Sequence, residues 1–142
     1  MEIRAEKLEI AYGDYLAVRD MDVRVEKGKI TTIIGPNGSG KSTVLKALTR
    51  LLSYRRGAIY LDARSLRDFS AKELARHIGV LPQFHSAPPD FQVKDLVSYG
   101  RMPYQRWYER CNDEDQEIID WAMKATGVWN LREKSINECS GG

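Results

Sequence analysis

The sequence predicts an α/β fold, with a strand-rich part over residues 1–88 and a helical part over residues 89–142. Three observations support this. Apolar and polar residues alternate near the start of the chain, the pattern of half-buried strands. The uncharged, largely β-branched run Ile30-Thr31-Thr32-Ile33-Ile34 suits a strand buried on both faces, as in a parallel sheet. Beyond Lys41, and again beyond Asn112, the apolar period lengthens to that of a helix.

The elements follow in order. Leu8, Ile10 and Tyr12 alternate with Glu9 and Ala11, and Val23 and Val25 alternate with Asp22, Arg24 and Glu26, which predicts two strands. Lys27-Gly28-Lys29 reads as a turn before the 30–34 strand. Val44, Leu45, Leu48, Leu51 and Leu52 predict a helix running to about Leu52, with Arg50 placed where a cation suits the helix dipole. Ile59 and Leu61 predict a short strand. Ser70 and Glu73 have the spacing of a capping box. Ile78, Val80 and Leu81 predict a strand stopped by Pro82, and His85–Asp90 reads as a linker in which two prolines exclude a helix. Val93 to Tyr99 is a short helical piece. Asn112-Asp113-Glu114-Asp115 opens a longer helix, with Ile118, Ile119, Ala122, Met123 and Ala125 as its apolar face and Gly127 as its C-terminal stop.

The chain has 142 residues, 42% hydrophobic and 30% charged, which excludes a disordered tail or a collagen-like repeat. No run approaches the roughly 20 apolar residues of a membrane helix. Met1-Glu2-Ile3-Arg4-Ala5-Glu6 has no apolar signal core, so no secretion address is expected. The net charge of +2 is too balanced to argue for a nucleic-acid partner. Cys111 and Cys139 have no nearby histidine pair, which argues against a zinc site or disulfide framework and for a reducing compartment.

Gly35-Pro36-Asn37-Gly38-Ser39-Gly40-Lys41-Ser42 matches G-x-x-x-x-G-K-[ST]. Glycines let backbone N–H groups approach an anion, and the following helix adds the positive end of its dipole. Lys41 would set its ammonium against the outer phosphates and the Ser42 hydroxyl would hold magnesium. A buried-strand pattern before the loop and a helix pattern after it meet the mechanism's demands. The motif therefore predicts a P-loop NTPase-type nucleotide-binding domain that takes a nucleoside triphosphate with magnesium.

With these residues in place, the chain resembles the ATP-binding cassette family, the ATPase subunits of transporters, over essentially its whole length. The loop, extended through Thr43, has the family's usual form. The resemblance implies that Tyr12 stacks on adenine and that Gly35 through Thr43 bind ATP. Leu81-Pro82-Gln83 resembles the glutamine loop, which implies that Gln83 meets magnesium (Mg2+) and the attacking water. The terminal Glu138-Cys139-Ser140-Gly141-Gly142 is similar to the start of the signature motif, with Cys139 in place of the usual leucine. By that likeness Ser140, Gly141 and Gly142 act on ATP held by a second subunit in a head-to-tail dimer. The stretches Leu81–His85, Asp90–Val97 and Gly100-Arg101-Met102-Pro103-Tyr104 are similar to importers of iron–siderophore complexes, haem and cobalamin. The resemblance further implies a membrane permease partner, indirectly a substrate-binding protein, and a cytoplasmic location on the inner face of the cell membrane.

The family also has an apolar strand ending in Asp-Glu and a later histidine, and residues 1–142 contain no equivalent. The fold is accordingly read as incomplete at its C-terminal side, with no catalytic acid in this chain, and the 142 residues alone are expected to hydrolyse ATP poorly and to expose apolar surface around Ile30–Ile34. Arg101, Tyr104, Arg106, Trp107, Tyr108 and Arg110 interleave bases with aromatics, as nucleic-acid binders do. Asp113, Glu114, Asp115, Glu117 and Asp120 cancel that field, so a surface facing a membrane-embedded protein is expected instead. His77 and His85 have no metal-ligand company and read as structural or solvated. Two other readings are a soluble, non-transport cassette ATPase that switches on ribosomes or nucleic acid, and a P-loop kinase, for which Gln83 and Ser140-Gly141-Gly142 would be coincidence.

Overall fold

A β-hairpin opens the chain. β1 (Ile3–Tyr12) pairs antiparallel with β2 (Tyr15–Val25) around the two-residue turn Gly13-Asp14. β3 (Arg56–Leu61) pairs with the other edge of β1, and the short β4 (Arg64–Ser65) extends β3, so the sheet order is β2-β1-β3-β4 and every pairing is antiparallel. This computed structural model describes residues 1–81, 88, 90–106 and 111–139. The chain forms two compact units, Met1–Leu74 and Ala75–Gly142, so Ala75–Leu81 group with the helical part. No helix among the described residues is long and apolar enough to cross a membrane.

In the first unit the strands bury one face. Ala5, Leu8 and Ile10 of β1, Val18 of β2 and Ile59 and Leu61 of β3 are buried together with Val44, Ala47 and Leu48 of α1 (Lys41–Leu48). Each large aliphatic side chain withdrawn from water in this way contributes about 1.5–3 kcal/mol. The alternation of β1 is not uniform. Lys7 (φ 48°) is an extra, bulged residue, which is why Ala5 and Leu8 both face inward. The Lys7 N–H donates to Asp22 Oδ1 at 2.7 Å. Gly57 (φ 94°) presses on this bulge, and a Cβ there would stand 2.5 Å from the carbonyl oxygens of Glu6 and Lys7. Only glycine fits both the angle and the space.

The expected strand at Ile30–Ile34 does not form. Residues 30–34 lie outside every ladder, with Ile30 97% and Ile34 88% exposed. A strand exists through its neighbours' hydrogen bonds, and among the described residues no segment runs beside this one. The parallel arrangement read from this run is thus replaced, in the described sheet, by antiparallel pairing. Ile78–Leu81 is likewise not a strand, and Val80 and Leu81 are exposed.

α1 stops at Leu48 rather than near Leu52. Arg50 adopts a left-handed backbone (φ 59°), and the N–H groups of Leu51 and Leu52 both return to the Lys46 carbonyl at 2.8 and 3.1 Å. Such a residue satisfies the last carbonyls and ends the helix. Arg50 therefore does not lie along the helix end. Its guanidinium donates to the carbonyls of Phe69 and Leu66. The capping box forms as the spacing predicts at α2 (Ala71–Ala75), with the Glu73 N–H donating to Ser70 Oγ and the Ser70 N–H to Glu73 Oε2.

The second unit is helical. α3 (Val93–Ser98) begins where the Gln92 N–H donates to Asp95 Oδ2, and a turn of 3-10 helix, Tyr99–Arg101, continues it. α4 (Asp113–Ala125) is capped by Asn112, whose side-chain oxygen accepts from the Asp115 N–H at 2.7 Å. Asp115, Ile119 and Met123, at helical intervals of four, form its buried stripe. Asp115, one of the acids read from the sequence as cancelling the field of the nearby bases, is thus turned inward. Its carboxylate accepts from Arg101 Nε at 2.6 Å and from Gln105 Nε2 at 2.8 Å. Arg101 also lies over the Tyr104 ring at 4.3 Å, so this base and aromatic are engaged within the unit rather than offered to a nucleic acid. Trp107, Tyr108 and Arg110 of the same run lie outside the described residues, as does His85.

The Gln105 amide, the Arg101 guanidinium and the Asn112 backbone N–H hold the Asp115 carboxyl below the ordinary carboxylate range. The unfolded chain takes up this proton more readily than the folded one. The stabilisation is therefore complete above the ordinary Asp value near about 4 and is lost as pH falls through the lower folded value. Asp115→Asn is expected to lower the urea midpoint at neutral pH, and the gap to wild type is expected to close as pH falls from about 5 to about 2. Chemical unfolding followed by circular dichroism across that range reads this directly, and a gap independent of pH would contradict it.

Candidate phosphate-binding site

Gly35–Gly40 forms the loop that delivers the chain into α1, and Gly40 (φ 87°) is the residue before the helix. The left-handed angle and a close approach both require glycine there. A Cβ on Gly40 would stand 3.0 Å from the Ala17 carbonyl oxygen and 3.2 Å from Val18 Cγ2. Ala17 is itself the extra residue of a bulge in β2, because Ile10 pairs with Val18 while Ala11 pairs with Leu16. The hairpin thus holds the loop at the mouth of the helix.

The start of α1 differs from the other helix starts. α4 carries Asn112 and three acids in its first turn, and α2 carries the Ser70–Glu73 box. α1 has no side-chain cap and no acid in its first turn. Its leading N–H groups and the positive end of its dipole are left for an anion. Lys41 reaches back over the loop, its ammonium donating to the carbonyls of Gly35 at 2.9 Å and Pro36 at 2.7 Å. The Ser39 N–H donates to the Pro36 carbonyl at 3.3 Å, which tightens the turn Pro36–Ser39. Asn37 and Gly38 form its exposed tip, and the Ser42 side chain is exposed on the first turn of the helix.

Tyr12 stands at the end of β1, beside this helix. Its hydroxyl lies 3.3 Å from Thr43 Oγ1, and the residue is half exposed. The structure therefore brings Tyr12, the loop from Gly35 to Gly40, Lys41, Ser42 and Thr43 into one neighbourhood of the first unit. Gln83, Ser140, Gly141 and Gly142 lie outside the described residues. Sequence reasoning placed Thr43 with the loop but did not find its burial or its bond to Tyr12. It also missed Ala17, since a bulged carbonyl carries no residue-type signal.

These groups fit a phosphate chain with a divalent cation. There is an uncapped helix start for the anion, an ammonium above the loop, and an exposed hydroxyl at Ser42, an oxygen donor of the type magnesium prefers.

The pattern of the ABC transporter family matches residues 18–142. The chain is 45% identical over 140 residues to the iron(3+)-hydroxamate import ATP-binding protein FhuC of Bacillus subtilis, covering 99% of this chain and 52% of that protein. It is 41% identical to the ferric enterobactin transport ATP-binding protein FepC of Escherichia coli, with the same coverage. The chain spans about half the length of these relatives. Among solved structures, a nucleotide-free ATP-binding cassette from an ABC transporter superposes with a TM-score of 0.82 at 26% identity, covering 99% of this chain and 60% of that one. A metal-chelate type ABC transporter in an inward-facing conformation has a like fold, with a TM-score of 0.79 at 24% identity, covering 98% of this chain and 50% of that one. Its loop, its fold and its sequence agree, and the chain belongs to the ABC transporter family.

Proposed function

We propose that this chain is the nucleotide-binding part of an importer ATPase that couples ATP to uptake of an iron–siderophore complex. The observation that carries the nucleotide reading is the uncapped, acid-free start of α1 beneath the Lys41 ammonium. Gly35–Gly40 wraps the phosphates with backbone N–H groups. Lys41 exchanges the carbonyls of Gly35 and Pro36 for the outer phosphate oxygens. Tyr12 offers its ring to adenine, a contact of about 1 kcal/mol. Ser42 and Gln83 hold magnesium, which neutralises phosphate charge when bound.

The substrate class rests on the relatives, whose names specify iron hydroxamate and ferric enterobactin. These favour a ferric siderophore over haem or cobalamin. Ser140, Gly141 and Gly142 act across a head-to-tail dimer on the partner's ATP. α3 and the turn after it carry the exposed Leu96, Tyr99 and Met102, a surface suited to a membrane permease. A substrate-binding protein joins indirectly, and the assembly sits on the inner face of the cell membrane. Residues 1–142 hold no Asp-Glu pair after an apolar strand to position the attacking water, so this stretch by itself is expected to bind nucleotide without normal turnover.

Calorimetric titration with ATP, with magnesium and then with excess chelator, tests the reading. Saturable binding that weakens on chelation is expected. Heat changes no greater than dilution in both conditions would remove the nucleotide reading and the import role with it.

A further inference from the structure

Tyr12 shares the alternating register of Leu8 and Ile10, the core-facing residues of β1. That register carries it toward α1, where its hydroxyl and Thr43 Oγ1 lie 3.3 Å apart and either oxygen can donate. Thr43 is 8% exposed. A buried hydroxyl left without a partner is costly, so this one holds its tyrosine. Tyr12 as a whole, by contrast, remains 48% exposed. On the other strand of the hairpin, Ala17 and Val18 close on Gly40. The hairpin is thereby tied to the loop and helix at two places, one from each strand.

We propose that Thr43 is a positioning residue that acts through Tyr12. Its hydroxyl anchors the tyrosine so that the ring stands at a fixed distance from the phosphate loop and receives the base of a bound nucleoside triphosphate. The proposal rests on the nucleotide reading above. It reassigns the Thr43 side chain from the phosphates to the base. The loop grips phosphates whether or not the ring is held, so the tie acts only on ligands that carry a base. At 3.3 Å the hydrogen bond is longer than the usual hydroxyl–hydroxyl distance, so its effect is a modest multiple rather than an abolition.

Two probes separate base from phosphate: magnesium ATP, and magnesium tripolyphosphate, which has the phosphate chain alone. The full chain and its Tyr12→Phe, Thr43→Val, Thr43→Ser and combined Tyr12→Phe/Thr43→Val variants are titrated with both. In Tyr12→Phe the ratio of ATP affinity to tripolyphosphate affinity is expected to fall about 3–10-fold. Thr43→Val is expected to give the same fall, the combined variant no further fall, and Thr43→Ser the wild-type ratio. Tyr12→Phe removes one oxygen and Thr43→Ser keeps the hydroxyl, so these two decide the matter even if Thr43→Val does not fold. A Tyr12→Phe ratio within about twofold of wild type overturns the tie and leaves the phosphate reading standing. Equal loss of both probes in Thr43→Val puts Thr43 on the phosphates and overturns it as well. If the unaltered chain binds neither probe, the nucleotide reading fails and the tie fails with it.

Discussion

Lys41→Ala is expected to weaken magnesium ATP binding about 10–150-fold, the equivalent of losing one or more hydrogen bonds from a charged donor at about 1.5–3 kcal/mol. The reason is geometric. The ammonium already stands over the loop, donating to Gly35 and Pro36, so little rearrangement brings it to an outer phosphate. The same position predicts a small effect on folding. Both carbonyls are on exposed residues and water replaces the lost donor. Calorimetric titration and a thermal melt of the same sample separate the two effects. Unchanged ATP affinity in a folded Lys41→Ala variant would show that the loop does not engage phosphate through this residue.

The second large effect is on stability. Leu8→Ala is expected to destabilise the first unit by about 2–5 kcal/mol. Leu8 is fully buried in the central part of the sheet, on β1, which pairs on both sides. Truncation removes its transfer energy and leaves a cavity that close-packed neighbours cannot fill. Whole domains are stable by only about 5–15 kcal/mol, so this is a large share. Leu51, 65% exposed beyond the end of α1, is the control, and Leu51→Ala is expected to stay within about 0.5 kcal/mol of wild type. Urea midpoints of the two variants measure the difference. Equal midpoints would mean that the buried face of β1 is not the core of this unit.

Much of the site was legible because its chemistry is local. The glycine spacing, Lys41 and Ser42 are consecutive along the chain, and a loop that ends in a helix start places their backbone and side chains together without help from elsewhere. The Ser70–Glu73 box and the Asn112 cap were legible for the same reason, since each joins groups three residues apart. The strand character of Leu8–Tyr12 and Val23–Val25 was also legible, because alternation reports which face is wet, but their antiparallel pairing was not.

Other features depended on partners distant in sequence. Ile30–Ile34 has the composition of a buried strand, yet composition states a preference and a ladder needs a neighbour. Among the described residues none is present, and Ile30 and Ile34 stand exposed. Asp115 sits in a run of acids that reads as cancelling the field of the nearby bases, but its place in the stripe with Ile119 and Met123 turns it inward to Arg101 and Gln105.

The order of residues along the chain was enough to specify a glycine-rich loop entering a helix and the strand character of Leu8–Tyr12 and Val23–Val25 before it, since hydrogen-bonding period, capping and backbone freedom act over a few positions. Three-dimensional packing alone decided that Gly57 must yield to the Lys7 bulge, that Ala17 closes on Gly40, and that Thr43 holds Tyr12. Those contacts join residues that no short-range rule connects. Their energies come from excluded volume and from hydroxyls shut away from water, which exist only once the sheet has folded over the helix.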